Sequence, residues 1–479
     1  MEIKDYSLKE LIQQIQAWNL SQKEVYAYYL SRIESIDSKI EAFNFVEKNI
    51  AYWDIHSSLA WVPLGIKDLF CEKWVATTAS SHMLEWFIPP YESTITDRLK
   101  KAWAVSIGKL NLDEYAMGWS GENSAVRITR NPWDLERIPG GSSSWSAAAV
   151  AAWLVPAALW TDTGWSIRQP ASMCWIVGFK PTYGRNSRYG VISMASSLDT
   201  PGTFTRTVED AAFLYEIMAW KDEKDSTSLS SPVTIHPDIW KRKDLNGIKI
   251  GIPKEYFIDG IEVWVRKEID ASIEMLRSLG AEIIDISLPH TEYGLAVYYI
   301  IMPAEVSTNL SRYDGIRYGH MDGIGSDTKK NRTTGFWEEA QRRIILGSFV
   351  LSSGFYDAYY KKASAVRELI RDDFAKAFEK VDVIVTPTAP SVAWKIGEKT
   401  DDPLKMYLSD IFTVNGSLAW LPGLTVPVGY SLPEDGWTTE LPVGLQILGP
   451  SLGEEKCFLV GNILEKALKE KIQSKQPNI

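Results

Sequence analysis

The 479-residue sequence predicts an α/β protein in which helices cover both faces of a central β-sheet. Two observations favour this class. Short apolar segments typical of strands alternate with longer amphipathic segments typical of helices, and 45% of the residues are hydrophobic, enough to bury one large core or two moderate ones. We therefore expect a single domain over 1–479, with a helical region at 1–60 and a polar surface connection at 221–246.

The elements of the N-terminal part follow from capping and turn signals. The segments 7–10 (SLKE) and 21–24 (SQKE) each match a capping box before an amphipathic pattern, which predicts two helices in the first forty residues. The segment 61–70 predicts a strand that runs into a turn, and 96–110 predicts a helix, a turn and a second strand. The small-residue stretch 138–166 predicts a Gly/Ser loop, an alanine-rich helix, a short buried strand and a second loop.

The C-terminal part continues the alternation. Strands are predicted at 246–253 (NGIKIGIP), 281–288 (AEIIDISL) and 381–387 (VDVIVTP). An amphipathic helix is predicted at 262–279 and a long charged helix at 360–380. This repeated alternation is the reason to expect helices on both faces of the sheet.

Composition and charge argue against several classes of function. The net charge is -10 and no block of lysine and arginine occurs, which argues against a nucleic-acid-binding surface. The amino terminus lacks the pattern of a signal peptide, and the longest apolar run, at 147–160, is too short to span a bilayer. The three cysteines and five histidines show no metal-ligand spacing. The sequence therefore predicts a cytoplasmic protein with no metal site and no membrane segment.

Three segments carry candidate catalytic chemistry: Lys67 in GIKDLF, the serine run of GGSSSWS at 140–146, and Ser166 in TDTGWS. A serine at the end of a turn can be a nucleophile if a base lies near it. No G-x-S-x-G motif is present and no histidine lies in these segments, so a Ser-His-Asp triad is not favoured. A buried lysine can be the base instead, because desolvation lowers its pKa. Serine hydroxyls can relay the proton, since they both donate and accept.

Each of these residues, taken alone, also has a purely structural interpretation. Ser166 fits a helix N-cap, and Lys67 fits a surface lysine beside Asp68. The joint presence of the three segments favours the catalytic interpretation.

The same segments resemble the amidase signature family. The residues that carry the resemblance are GIKD (65–68), PGGSSSWSAAAVAA (139–152), TDTGWSIRQPAS (161–172) and GFKPTYGRNSRYGV (178–191). The likeness covers nearly the whole chain. It implies the amidase-signature fold, with a mixed central β-sheet covered by helices on both faces, and a single catalytic domain. It also implies a triad in which Lys67 is the base, Ser142 is a serine in a cis peptide bond, and Ser166 is the nucleophile.

The resemblance further implies an oxyanion hole and a substrate pocket. The hole would be formed by backbone N–H groups of the nucleophile loop, at Thr163, Gly164, Trp165 and Ser166. Four residues would bind the substrate: Arg343 its carboxylate, through two hydrogen bonds, Asp410 its ammonium, and Tyr298 or Tyr299 as pocket lining. These four also fit structural roles, with the arginine in a helix salt bridge, the aspartate on a helix surface and the tyrosines in the core.

Within the family the resemblance is closest to the A subunits of amidotransferases that act on glutamyl-tRNA(Gln) or aspartyl-tRNA(Asn). It rests on the segments 129–143, 196–212, 288–301, 342–363, 421–429 and 441–449. It implies that glutamine is hydrolysed and that ammonia passes to a partner subunit, where ATP and Mg²⁺ are used to amidate the aminoacyl-tRNA. The implied partners are B-type and C-type subunits of a heterotrimer, with tRNA contacted mainly through the B-type subunit. No cofactor is implied for this chain itself.

Two other functions stay open on sequence grounds. One is a stand-alone amidase that acts on another amide, which the segments 288–301 and 342–354 argue against. The other is a non-catalytic scaffold subunit, which the tryptophan content described next would favour.

Tryptophan is unusually frequent, with 20 in 479 residues. Many of these tryptophans stand where the family pattern carries glycine: Trp18, Trp61, Trp74, Trp103, Trp145, Trp153, Trp160, Trp165, Trp175, Trp220, Trp337 and Trp420. Glycine is used where φ is positive or where a backbone approaches closely, and tryptophan suits neither situation. Trp165 in particular would lie in the oxyanion loop and block the acyl pocket.

We interpret these twelve tryptophans as glycines whose codons are UGA, which one translation table renders as tryptophan while some cells read it as glycine. Trp133, in NPWD, is tryptophan in the family too, and Trp86, Trp119 and Trp394 are less secure members of the set. Two alternatives stay open: free drift of an inactive copy of the gene, and true tolerance of tryptophan. Drift would not select glycine sites while it spared the three candidate catalytic residues.

Overall fold

The computed structural model describes residues 2–48, 57–323, 325–399, 409–471, 475–477 and 479. Within these residues the chain forms thirteen α-helices and one eleven-stranded β-sheet. The strands are β1 Phe43–Val46, β2 Pro63–Lys67, β3 Val105–Leu110, β4 Ala158–Asp162, β5 Val177–Lys180, β6 Thr200–Thr205, β7 Lys249–Pro253, β8 Glu282–Ile286, β9 Val383–Pro387, β10 Gly423–Ser431 and β11 Leu441–Leu448. The helices are α1 Leu8–Gln16, α2 Gln22–Ile40, α3 Thr94–Lys101, α4 Ser144–Ala151, α5 Arg168–Cys174, α6 Val208–Met218, α7 Val263–Ser278, α8 Gly294–Leu310, α9 Thr328–Gly335, α10 Glu338–Val350, α11 Lys362–Phe378, α12 Val414–Leu418 and α13 Glu454–Lys471.

The sheet is mixed, with the strand order β1-β3-β2-β4-β6-β5-β10-β11-β9-β7-β8. Strands β3, β2 and β4 run parallel to one another, and so do β9, β7 and β8, whereas β4 pairs with β6 and β10 with β11 in antiparallel fashion. Because β2 and β4 are parallel neighbours, their carboxyl ends lie at the same edge of the sheet. Lys67 is the last residue of β2 and the loop 163–166 follows β4, so strand pairing brings the two together.

Helices cover both faces of the sheet. Every residue of β2, β4, β6 and β11 is buried. Since successive side chains of a strand point to opposite faces, complete burial means that both faces are covered. Helix α4 packs against β2 and β4, and α5 packs against β5, β10 and β11. The predicted α/β class and the mixed sheet are confirmed.

The elements predicted from local signals occur where the sequence places them. Both capping boxes are present, with Ser7 starting α1 and Ser21 starting α2. The region 1–60 also contains β1, which the sequence analysis did not predict, and its residues 49–56 lie outside the described part of the chain. The connection 221–246 contains one 3-10 helix, Pro237–Trp240. The single-domain assignment over 1–479 stays a prediction, and none of the described helices is long and apolar enough to cross a membrane.

Candidate active site

The structure brings Lys67, Ser142 and Ser166 together at the carboxyl edge of β2 and β4. Lys67 Nζ lies 3.5 Å from Ser142 Oγ and 3.0 Å from Thr161 Oγ1. Ser142 Oγ lies 3.1 Å from Ser166 Oγ, and the backbone N–H of Ser142 donates to the same Ser166 oxygen at 3.1 Å. The three side chains form one hydrogen-bonded chain, with Ser142 in the middle. The peptide bond between Gly141 and Ser142 is cis.

Lys67 is fully buried. Desolvation by this burial lowers the pKa of its ammonium group well below the ordinary value, although the carboxylates of Asp113, Asp199 and Asp162 oppose the shift. Burial thus favours the neutral amine, which can accept a proton. The interpretation of Lys67 as a surface lysine beside Asp68 is wrong, because both residues lie in the core.

Ser166 lies in the loop between β4 and α5, and it is not a helix N-cap. Helix α5 begins at Arg168, and the residue before it, Ile167, makes no side-chain capping bond. The Ser166 hydroxyl instead faces the serine of the cis bond. Within the described part of the chain, the backbone N–H groups of Gly164, Trp165 and Ser166 donate to no acceptor, so all three are available to a ligand.

A buried ion pair holds this loop in place. The Arg168 guanidinium donates to Asp162 Oδ1 at 3.0 Å and to the carbonyl oxygen of Gly164 at 2.8 Å. On the other side of the loop, Thr163 Oγ1 donates to Asp199 Oδ1 at 2.8 Å. These anchoring residues were not among the predicted site residues, although Arg168 lies in the motif TDTGWSIRQPAS and its position there was the available signal.

Gln169 is a second residue that the sequence analysis missed. Its Oε1 accepts from the backbone N–H of Gly141 at 3.0 Å, and its Nε2 donates to Asp410 Oδ1 at 3.0 Å. One side chain therefore links the loop that carries Ser142 to a predicted substrate-binding residue.

Arg343 on α10 is buried at 2% exposure. Its Nε lies 2.6 Å from Glu339 Oε1, so the helix salt bridge suggested as a structural role is present. Although burial disfavours the charged guanidinium, the carboxylate of Glu339 raises the pKa of Arg343 above its ordinary value. The salt bridge leaves Arg343 Nη2 buried and without a hydrogen-bond partner within the described residues.

Asp410 lies in a turn ahead of α12 and is fully buried, so its interpretation as a helix-surface carboxylate is wrong. Burial raises the pKa of Asp410 well above its usual range, and the positive charges of Lys399 and Arg343 oppose this shift. Asp410 Oδ2 and the hydroxyl of Tyr298 have no partner among the described residues, like Arg343 Nη2. Buried polar atoms are rarely left unpaired, so these three atoms indicate where a polar ligand would bind.

Trp165 fills space in the same region. It is 2% exposed, and its ring centroid lies 5.1 Å from that of Tyr298 and 6.4 Å from those of Tyr299 and Trp119. The indole Nε1 donates to the carbonyl oxygen of Gly118 at 3.3 Å. The side chain next to Ser166 is therefore packed against both tyrosines that the sequence analysis assigns to the substrate pocket.

Metal-ligating side chains do not cluster in the structure. No group of three or more His, Cys, Asp or Glu residues that could bind a metal occurs within the described ranges. The three cysteines, Cys71, Cys174 and Cys457, are buried free thiols.

Comparison with known proteins identifies the family of the chain. The amidase family pattern matches residues 24–458. The chain is 50% identical to the A subunit of glutamyl-tRNA(Gln) amidotransferase from Carboxydothermus hydrogenoformans, over 97% of this chain and 98% of that protein, and 49% identical to the corresponding protein from Geobacter metallireducens, over 98% of each. The crystal structure of the A subunit of glutamyl-tRNA(Gln) amidotransferase from Thermotoga maritima matches with a TM-score of 0.83 and 39% identity, over 97% of this chain and 95% of that one. The chain therefore belongs to the amidase signature family, within the branch formed by the A subunits of glutamyl-tRNA(Gln) amidotransferases.

Proposed function

We propose that this chain is the glutamine-hydrolysing subunit of a tRNA-dependent amidotransferase, and that it supplies ammonia for converting glutamyl-tRNA(Gln) to glutaminyl-tRNA(Gln). The observation that carries the proposal is the buried, hydrogen-bonded chain of Lys67, Ser142 and Ser166. Identity near 50% to relatives of that name, over nearly the whole chain, supports it.

In the proposed mechanism, Ser166 Oγ attacks the side-chain carbonyl carbon of glutamine. Its proton passes to Ser142 Oγ while the proton of Ser142 passes to the neutral amine of Lys67. Backbone N–H groups of the loop Thr163–Ser166 donate to the oxygen that becomes negatively charged, and those of Gly164, Trp165 and Ser166 are free within the described chain. The proton returns through Ser142 to the departing nitrogen, and ammonia leaves. Water then hydrolyses the acyl ester on Ser166, which releases glutamate and restores the serine.

The unpaired polar atoms suggest how glutamine is oriented. Arg343 Nη2 donates to the α-carboxylate and Asp410 Oδ2 accepts from the α-ammonium, while Tyr298 and Tyr299 line the pocket. A bound ammonium lowers the pKa of a neighbouring carboxyl group. Glutamine binding therefore converts Asp410 to the carboxylate that its burial otherwise disfavours.

The ammonia is used at a partner subunit. We assign this chain to a cytoplasmic complex with B-type and C-type subunits, in which the B-type subunit makes most contacts with tRNA. ATP and Mg²⁺ serve there to activate the carboxylate that is amidated, and no residue of this chain is assigned to them.

The test is release of glutamate and ammonia from glutamine by the full chain, with and without its partner subunits. Because Trp165 lies in the nucleophile loop, the chain and its Trp165→Gly variant are both assayed. Ser166→Ala in the active form should abolish hydrolysis, whereas Ser146→Ala should not, since Ser146 lies within helix α4 and its hydroxyl makes no hydrogen bond to Lys67, Ser142 or Ser166. Partner binding without hydrolysis by either form would refute the glutaminase and favour a scaffold.

A further inference from the structure

Seven tryptophans have a backbone conformation that favours glycine. Their φ angles lie between 54° and 67°, at Trp18, Trp61, Trp74, Trp103, Trp153, Trp175 and Trp420. They make up half of the fourteen non-glycine residues with positive φ in the described chain. An L-residue is disfavoured there because its Cβ approaches the following carbonyl oxygen. All seven belong to the twelve tryptophans at glycine-type positions, and none of the other tryptophans that the structure describes has a positive φ.

Four of the seven close helices in the same way, after α1, α3, α4 and α12. In each case the tryptophan N–H bonds to the carbonyl three residues earlier, and the next residue's N–H bonds to the carbonyl five residues before it. This is the Schellman motif, whose left-handed position is usually glycine. The chain itself provides the comparison, because Gly280 makes the same two bonds after α7 with a φ of 99°. The four tryptophans therefore have the same two hydrogen bonds and the same left-handed conformation as a helix-ending glycine.

In the described part of the chain, two of the three buried tryptophans of the set lack a hydrogen-bond acceptor for the indole N–H, whereas the third, Trp165, donates to Gly118. Trp145 and Trp160 are fully buried, and within the described residues their Nε1 atoms have no acceptor. Trp133, outside the set, donates from Nε1 to the carbonyl oxygen of Cys174 at 3.0 Å. The Trp160 ring centroid also lies 3.7 Å from Lys67 Nζ. A cation–π contact stabilises a charged ammonium, which is the opposite of what a lysine base needs.

We infer that the twelve positions are glycine in the working protein, encoded by UGA codons, and that glycine at position 165 opens the substrate pocket. A codon-level cause explains why one residue type replaces glycine at so many unrelated sites. Trp220 and Trp337 have neither a positive φ nor a buried side chain, so they join the set on the sequence pattern alone.

The part of the inference that concerns the pocket rests on the proposed function. Glycine at position 165 removes the indole that packs against Tyr298 and Tyr299, beside Ser166. The space released lies next to Tyr298, whose hydroxyl is unpaired within the described residues. We therefore assign this space to the glutamine side chain.

The first test reads the codons and the peptides of the chain as its own cell makes it. We expect UGA at the twelve positions, glycine at each by tandem mass spectrometry, and UGG with tryptophan at Trp133 as the internal control. UGG at Trp165, or tryptophan in the peptide that contains it, would overturn the inference whatever the activity of the protein.

The second test compares glutamine hydrolysis by two full-length chains with their partner subunits, one with the twelve tryptophans and one with glycine at all twelve. We expect the glycine form to be faster by at least about 100-fold, the loss typical when an oxyanion site is disrupted. Equal rates would overturn the inference that glycine at position 165 opens the substrate pocket. Glycine in the peptides without hydrolysis by either form would leave the decoding inference standing and refute the proposed function, so the two failures are distinguishable.

Discussion

Replacing Trp18 and Trp74 by glycine in one variant should stabilise the chain by about 1 kcal/mol. The two residues have φ angles of 60° and 67°, and 75% and 68% of their surface is exposed, so losing the indoles sacrifices little buried area. At each position, a left-handed conformation costs a residue other than glycine about 1–2 kcal/mol. The greater freedom of glycine in the unfolded chain offsets about 0.5–1 kcal/mol of that gain at each position.

The assay is thermal unfolding of the double variant beside its parent. The entropy of unfolding is about 2.1 cal/mol/K per residue, which gives about 1 kcal/mol/K for a chain of 479 residues. A stabilisation of about 1 kcal/mol therefore raises Tm by about 1 °C. Scanning calorimetry resolves a shift of this size when parent and variant are run as matched pairs.

Two single substitutions are the controls. Gly247→Trp introduces tryptophan at a left-handed position with a φ of 79°, where an added Cβ has no atom within 4 Å, and it should lower Tm by about 1 °C for the reverse reason. Trp133→Gly removes a buried indole whose N–H is hydrogen-bonded, and it should destabilise the chain by about 3–5 kcal/mol. A double variant that melts at or below the parent's temperature would refute the claim that the left-handed tryptophans are strained.

Two further predictions concern the proposed active site, and a third concerns the pH dependence of stability. Hydrolysis that requires neutral Lys67 should rise as the pH increases through the lowered pKa of that lysine and then level off. Lys67→Met should lower the rate of hydrolysis by at least about 100-fold. If the residual rate of this variant still rises with pH over the same range, the rise is caused by a group other than Lys67. Arg343→Lys should raise KM for glutamine by about 10- to 100-fold through loss of a charge-assisted hydrogen bond, and an effect confined to kcat would contradict the proposed contact with the substrate. Burial raises the pKa of Asp113 to about 7, above the value of about 4 expected in the unfolded chain. The folded state therefore binds more protons between about pH 4 and 7, so this group makes the chain less stable as the pH rises through that window. Asp113→Asn should flatten this part of the curve of unfolding free energy against pH, and an unchanged slope would show that other groups control it.

Local patterns in the sequence determined much of the architecture. The capping boxes at Ser7 and Ser21 start helices because each needs only residues within one turn. The apolar run before Lys67 forms a buried strand, and the motif around Ser166 identifies the family. The excess of tryptophan at glycine-type positions was also visible without coordinates, since it needs only the motif letters.

Tertiary structure decided which of these residues meet. Lys67 and Ser142 are 75 residues apart, and Gln169 and Asp410 are 241 residues apart. Their contacts depend on tertiary packing, which brings the loop before α4 and the turn before α12 to the edge of the sheet where β2 and β4 end. No local pattern encodes this packing. The bond of Arg168 to the loop that carries Ser166 and the bond of Gln169 to the loop that carries Ser142 were missed for the same reason.

The sequence by itself thus determined the elements that carry clear local signals, the family motifs and the identity of the candidate nucleophile and base. Only the folded chain decided that Lys67 is buried, that Arg343 and Asp410 keep unpaired atoms, and that seven tryptophans lie at positive φ. The physical reason is that propensity and capping depend on neighbours along the chain. Burial, pKa and left-handed backbone geometry depend on what the rest of the fold places around each residue.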